Sequence, residues 1–248
     1  MTTSGDLRIG CAGWGLPSAQ AMHFPGEGTH LERYARRFSA VEINSSFYRP
    51  HMPKTYAKWA SQVPDGFLFA VKFPRAGTHD ARLRDADAVI DRFAGEIAAL
   101  GDRLGPVLVQ LPPSLAFNAP VADAFFGRLR ESIAAPVVCE PRHTSWFAPE
   151  VDDVWARHDV GRVGADPARV PLAAMPGGAG RVCYWRLHGS PQVYYDAYGE
   201  ARLQPWAEAV RTARDDGFDC WVVLDNTALG HAVADAMRLE AMLDGDDG

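Results

Sequence analysis

Apolar and polar positions alternate along this chain in a repeating order, short runs of period two followed by longer runs of period near 3.6. Period-two runs, whose successive side chains point to opposite faces of a strand, fall at residues 7–12, 40–44, 67–72, 106–111, 136–140, 160–166, 182–188 and 219–225. The sixth is the weakest. Helical patterning falls at 29–38, 53–63, 86–100, 121–132, 149–158, 203–215 and 230–243. Thr29 with Glu32 three residues on predicts a reciprocal N-terminal cap, and Pro53 stands where a first helical turn tolerates it. After the sixth strand, a Pro/Gly-rich stretch from Pro167 to Gly180 takes the place of most of a helix.

Strands and helices alternating in this way predict an α/β protein, a single (β/α)8 TIM-type barrel with one irregular Pro/Gly-rich crossover after the sixth strand. No linker divides the chain, so residues 1–248 are read as one domain with 244–248 as a frayed tail. An open doubly wound sheet is the rival. It is weakened because no G-x-G-x-x-G follows the first strand and no G-x-x-x-x-G-K-[ST] occurs.

The phase of the strands carries the functional signal. If Val41, Ile43, Phe69, Val71, Val107, Val109, Val137, Cys139, Trp185 and Leu187 face the helices, the opposite phase turns Glu42, Asn44, Lys72, Gln110, Glu140, Arg186 and His188 inward. Continued past the strand ends, that phase adds Arg142 and Asn226, and Asp166 on the weak strand. Earlier inward positions such as Gly10, Leu68, Ala70, Leu108 and Val138 are small or apolar. The polar groups therefore gather at the carboxyl ends of the strands, where barrel active sites sit. Buried carboxylates and amides are costly unless paired or used.

Glu42, Glu140 and His188 are the candidates for proton transfer. Asn44, Arg49, Lys72, Gln110, Arg142, His143, Arg186 and Asn226 are the candidates for holding a substrate. Plainer roles stand beside these: Glu42 could pair with Lys72 or Arg186 only to satisfy the interior. Lys72 could be an anion anchor, a structural partner or an imine-forming amine.

Composition narrows the partners. The formal net charge of −6 argues against bulk binding to nucleic acid or an anionic membrane. No apolar run reaches the roughly 20 residues that span a bilayer, and Met1 to Asp6 shows no secretory pattern, so a cytoplasmic location is expected. The four cysteines form no C-x-x-C pair, and no metal site or cofactor is expected. An acidic chain whose mouth gathers Arg49, Lys72, Arg75, Arg142 and Arg186 would concentrate a small anion there.

Several segments together form a recognisable pattern: Cys11-Ala12-Gly13-Trp14-Gly15, Val41 to Arg49, Phe69 to Lys72, Leu104 to Ser114, Glu140-Pro141-Arg142-His143-Thr144-Ser145-Trp146 and Arg186-Leu187-His188-Gly189. The chain resembles the YecE-like family, domain of unknown function number seventy-two, nearly end to end. The resemblance implies a TIM-type barrel and assigns no catalytic residue. The family commonly has two asparagines where this chain has Asp225-Asn226, so no role is given to Asp225. A tyrosine-rich loop after R-L-H-G is matched by Tyr194, Tyr195 and Tyr198.

The leading expectation is an enzyme acting on a small phosphorylated or carboxylated metabolite by metal-free general acid–base chemistry. The alternatives are a divalent-metal-dependent hydrolase or isomerase, including a phosphodiesterase acting on nucleic acid, and a non-catalytic protein that binds a small ligand.

Overall fold

The computed structural model describes residues 4–244; of the predicted frayed tail, 245–248 lie outside the described residues, while Asp244 closes the last helix. In chain order the elements are β1 (Leu7–Cys11), α1 (His30–Ala35), β2 (Ala40–Ile43), α2 (Pro53–Ser61), β3 (Leu68–Lys72), α3 (Asp87–Ile97), β4 (Leu104–Gln110) and α4 (Ala119–Ser132). They continue with β5 (Val137–Glu140), α5 (Asp152–His158), β6 (Val160–Arg162), β7 (Gly164–Asp166), β8 (Gly177–Gly178), β9 (Val182–Leu187), α6 (Gly199–Asp215), β10 (Asp219–Leu224) and α7 (His231–Asp244).

The result is a mixed α/β fold whose strands form two parallel sheets, β1-β10-β9-β7 and β2-β3-β4-β5-β6-β8, with β8 antiparallel to β6. The expected unbroken ring of pairing is not what the hydrogen bonds draw. One seam lies between β1 and β2, joined by a single Ala12–Glu42 bridge and the Gly13 N–H donating to the Glu42 carbonyl at 2.9 Å. The other divides the weak sixth strand at Val163: β6 pairs with β5, and β7 pairs with β9. The Pro/Gly-rich stretch accounts for that break. It folds back as β8 and takes the edge of β6 that a neighbouring strand would otherwise use.

Both sheets nevertheless share one interior. Leu108 and Val138 from one sheet cluster with Tyr184, Trp221 and Val223 from the other, and Tyr184 stacks on Trp221 at 6.0 Å. Val41, Ile43, Phe69, Val71, Val107, Val109, Cys139, Trp185 and Leu187 all pack into the larger cluster under the helices. The phase read from the sequence is therefore the phase of the fold.

Local signals explain some helix starts. Thr29 and Glu32 form the reciprocal cap: the Glu32 N–H donates to Thr29 Oγ1 and the Thr29 N–H to Glu32 Oε2. Asn118 caps α4. α6 begins four residues before the predicted Leu203 because its first amides, on Tyr198 and Gly199, donate to Asp235 of α7 at 2.8 and 3.2 Å. A cap supplied 37 residues away leaves no local signature.

Two glycine substitutions test this packing with opposite signs. A Cβ on Gly10 would lie 2.2 Å from the Ala40 carbonyl oxygen at the β1–β2 seam, so Gly10→Ala is expected to destabilise by about 1–3 kcal/mol. Gly95 in α3 has nothing within 4 Å of an added Cβ, so Gly95→Ala is expected to stabilise by about 0.5–1 kcal/mol. Urea unfolding measures both; equal effects would contradict the packing described.

Candidate active site

Alternation along β9 sets the centre of the site. Tyr184 and Arg186 share its inner face, and His188 continues that phase just beyond the strand. Arg186 is completely buried. Its Nε and Nη2 donate to the two oxygens of Glu42 at 3.0 and 2.8 Å, and its Nη1 donates to Glu140 at 2.7 Å. Nη2 also donates to Asp225 at 3.0 Å. The Tyr184 hydroxyl adds a bond to Glu42 at 2.9 Å. A guanidinium has five N–H donors, and charge-assisted bonds occupy nearly all of them, as a buried cation requires. Three carboxylates surround one cation here. Lys72 and Arg142, close by, bring the charges to balance at three against three.

His188 occupies the gap between two of those carboxylates. Its Nδ1 lies 2.9 Å from Asp225 Oδ2, an atom that only accepts, so Nδ1 carries a proton. Its Nε2 has two neighbours at the same 3.1 Å: Glu140 Oε1, an acceptor, and Arg142 Nη2, a donor. A neutral ring accepts from Arg142 and a protonated ring donates to Glu140. The imidazole can therefore gain or lose its Nε2 proton without leaving that nitrogen unpartnered. Arg142 also donates from Nε to Glu140 at 2.8 Å.

These contacts hold Glu140 and Asp225 as anions. Burial pushes the Glu140 carboxyl up, but Arg142, Arg186 and His188 outweigh it and hold it well below the usual range. Asp225 is likewise lowered: burial opposes, and Arg186, His188 and Lys72 prevail. Lys72 moves the other way, pushed down to about 8 by burial and then by the Arg186 cation, against the pull of Glu42, Asp225 and Glu140. Its ammonium sits 4.3 Å above the Phe47 ring.

A cavity of about 370 Å³ opens over this cluster, lined by Glu140, Arg142, Arg169, His188, Val193 and Tyr194 among others. Tyr194 stands edge-on to His188 with ring centres 5.8 Å apart. Its backbone is left-handed, with φ of 70°, and its N–H donates to the His188 carbonyl. A second hollow of about 410 Å³ lies between the loop after β1 and the start of α7. It is lined mainly by apolar and small residues and holds none of the clustered charges.

Six predicted site residues thus meet: Glu42, Lys72, Glu140, Arg142, Arg186 and His188. Gln110 lies opposite Glu140 in register, on the phase of inward Leu108. Four do not join them. Arg49 is exposed at the surface. His143 caps its own short helical turn by accepting from the Ser145 N–H. Asn44 precedes a turn at the mouth of a different hollow, over Trp14 and His30. Asn226 points away, its amide nitrogen donating to the Asp196 carbonyl and to Asp235. Asp166 is held apart as well, accepting from the Tyr198 hydroxyl at 2.7 Å. The residues missed are Asp225 and Tyr184. Both were legible from phase, since Trp221 and Val223 face inward and Asp225 is the next position of that series. Among the described residues no group of three His, Cys, Asp or Glu side chains is arranged to hold a metal; the clustered carboxylates are bridged by guanidinium groups.

Comparison with known proteins places the chain. Residues 8–247 match the family model described as Protein of unknown function DUF72. The UPF0759 protein YecE of Escherichia coli K12 is 32% identical over 143 residues, 57% of this chain and 50% of YecE. The matched region thus spans about half the length of that relative. The UPF0759 protein YunF of Bacillus subtilis 168 is 22% identical over an alignment covering 96% of this chain and 95% of YunF. The crystal structure of a DUF72 family protein from Thermotoga maritima MSB8 superposes with a TM-score of 0.78 at 23% identity, covering 96% of this chain and 99% of that one. A DUF72 family protein from Enterococcus faecalis V583 gives 0.78 at 18% identity, over 96% and 95% of the two chains. These structures share the fold.

Removing the central cation should expose the cost of the cluster. Arg186→Met is expected to lose about 3–5 kcal/mol at pH 7, because it leaves buried carboxylates unpaired. Glu140 and Asp225 have depressed folded values, so the stability they give is complete above about pH 4, their unfolded value, and is lost as pH falls through the folded values. Urea midpoints measured from pH 7 to pH 2 should therefore fall more steeply below about pH 4 for the wild type than for Arg186→Met. Parallel curves would contradict the assigned clasp.

Proposed function

The chain belongs to the DUF72 family, and from the geometry at the carboxyl ends of its strands we propose that it is an enzyme acting on a small phosphorylated or carboxylated metabolite by general acid–base chemistry. The observation that carries this reading is His188, held between Asp225 and Glu140 with an Nε2 that keeps a partner in either protonation state. Such a group is poised to move a proton at the floor of a cavity. Asp225 fixes the ring and its Nδ1 proton, while Glu140 accepts from the protonated ring. Arg142 and Arg169 line the same cavity and supply the charge an anionic substrate requires. Arg186, saturated by carboxylates, organises the site and takes no part in binding.

The fold belongs to the same proposal. The two sheets are read as the walls of one (β/α)8 barrel in a single domain, with the Ala12–Glu42 bridge and the Val163 break as its seams. The side chains that the sheets share inside support this, as does the gathering of polar groups at one end. Among the described residues no helix is long and apolar enough to cross a membrane. All four cysteines are free, which fits a reducing compartment such as the cytoplasm. Bulk attraction to nucleic acid is opposed by the net charge of −6.

A thermal-shift screen of phosphorylated and carboxylated metabolites tests the proposal. A true ligand at 100 times its dissociation constant is expected to raise the melting temperature by about 5–10 °C for a chain of this size. Arg142→Gln should abolish that shift while His188→Gln retains it. With the substrate identified, His188→Gln should lower kcat by about 10²–10⁴. A screen in which no anion stabilises the protein would refute the reading.

A further inference from the structure

Lys72 has features the acid–base reading leaves unused. The chain has only three lysines, Lys54, Lys58 and Lys72, among 25 basic side chains. Lys54 and Lys58 are exposed on α2, whereas Lys72, at the end of β3, is buried in the charged cluster. Glu42, Glu140 and Asp225 surround it electrostatically, yet each is bonded to Arg186 and none closes to ion-pair distance with the Lys72 amine. What the amine meets instead is the face of Phe47. Arginine is the usual choice for a buried cation with a structural role, because its fork satisfies several carboxylates and keeps its charge. An ammonium can lose its proton and become a nucleophile, and it does so when desolvated beside another cation.

Burial, and after it the Arg186 cation, favours that loss. Arg186 from β9 opposes its positive form, and Glu42, Asp225 and Glu140 favour it; His79, in the turn after β3, feels the charges of both Lys72 and Arg142. His188, close by, lies within hydrogen-bond distance of both Glu140 and Asp225. Lys72 and His188 both act on Asp225, and an amine nucleophile with a proton donor in reach is what condensation with a carbonyl requires.

We infer that Lys72 condenses with an aldehyde or ketone group of the bound anion to form an imine, an inference that rests on the anionic-substrate reading above. The amine nitrogen adds to the carbonyl carbon, and the displaced π electrons pass to oxygen, giving a carbinolamine after one N–H proton moves to that oxygen. His188 then protonates the hydroxyl, which leaves as water while the nitrogen lone pair forms the C=N bond. The sum is carbonyl plus amine plus one proton giving protonated imine and water, with no change of oxidation state. The protonated imine draws electrons from the neighbouring carbon, and the His188–Glu140 pair supplies a base for its C–H.

Reductive trapping on the wild-type chain tests this. The protein is treated with sodium cyanoborohydride and either glyoxylate, an anionic aldehyde, or acetaldehyde, a neutral one, and adducts at the three lysines are quantified by peptide mass spectrometry. Glyoxylate is expected to label Lys72 at least tenfold faster than Lys54 or Lys58, with the rate rising through a midpoint near pH 8. Lys72→Arg should lose the fast adduct and leave the other two unchanged. Labelling of Lys72 no faster than the surface lysines with either aldehyde would overturn the inference. If acetaldehyde labels Lys72 as fast as glyoxylate does, the imine chemistry stands and the anionic-substrate reading falls.

Discussion

One guanidinium, that of Arg186, constrains the rest of the interior. A fully buried cation is tolerable only when its donors are met by correctly placed acceptors, since the cost of desolvating it otherwise exceeds any gain. The acceptors come from β2, from β5 and from the turn after β10, three separated parts of the chain. Glu42 and Glu140 belong to one sheet, while Arg186 belongs to the other. Between β1 and β2 the backbone supplies a single bridge. The clasp thus joins across the interior two sheets that the ladder joins only weakly at that edge.

The same clasp determines what is reactive. By occupying Glu42 fully and one oxygen each of Glu140 and Asp225, Arg186 orients the groups that face His188. It also supplies the neighbouring charge that, after burial, lowers the proton affinity of Lys72. Structure and reactivity are therefore coupled through one side chain. Arg142 differs from Arg186 in being only partly enclosed: it holds Glu140 on one side and faces the cavity on the other. The two arginines divide the work, one organising the interior and one meeting what enters.

Much of this was legible in the sequence because strand phase is a strong constraint. Val41 and Ile43 face the helices, so Glu42 faces inward, and the same alternation correctly turned in Lys72, Glu140, Arg186 and His188. The predicted residues that lie outside the cluster share a feature. Past the last paired residue of a strand the local turn decides direction: His188 and Asp225 keep the inward phase, whereas Asn44 precedes a turn, His143 caps one, and Arg49 reaches the surface. Asn226 was misplaced by one position, and Asp225 with its inward phase was passed over as a departure from a family pattern. The break at Val163 and the early start of α6 depend on partners remote in sequence, β8 and Asp235, which no local pattern reveals.

The central claim is that His188 and Arg142 form a proton-moving site that receives a small anion. The most direct measurement is the pair of ring-nitrogen chemical shifts of His188, followed by NMR while inorganic phosphate is titrated in, with His188→Gln used to assign the signals. The account predicts a saturable change at Nε2, with Nδ1 remaining protonated against Asp225 throughout, and no such change in Arg142→Gln. His188 nitrogens that stay unmoved by phosphate, or an Nδ1 that loses its proton, would contradict it.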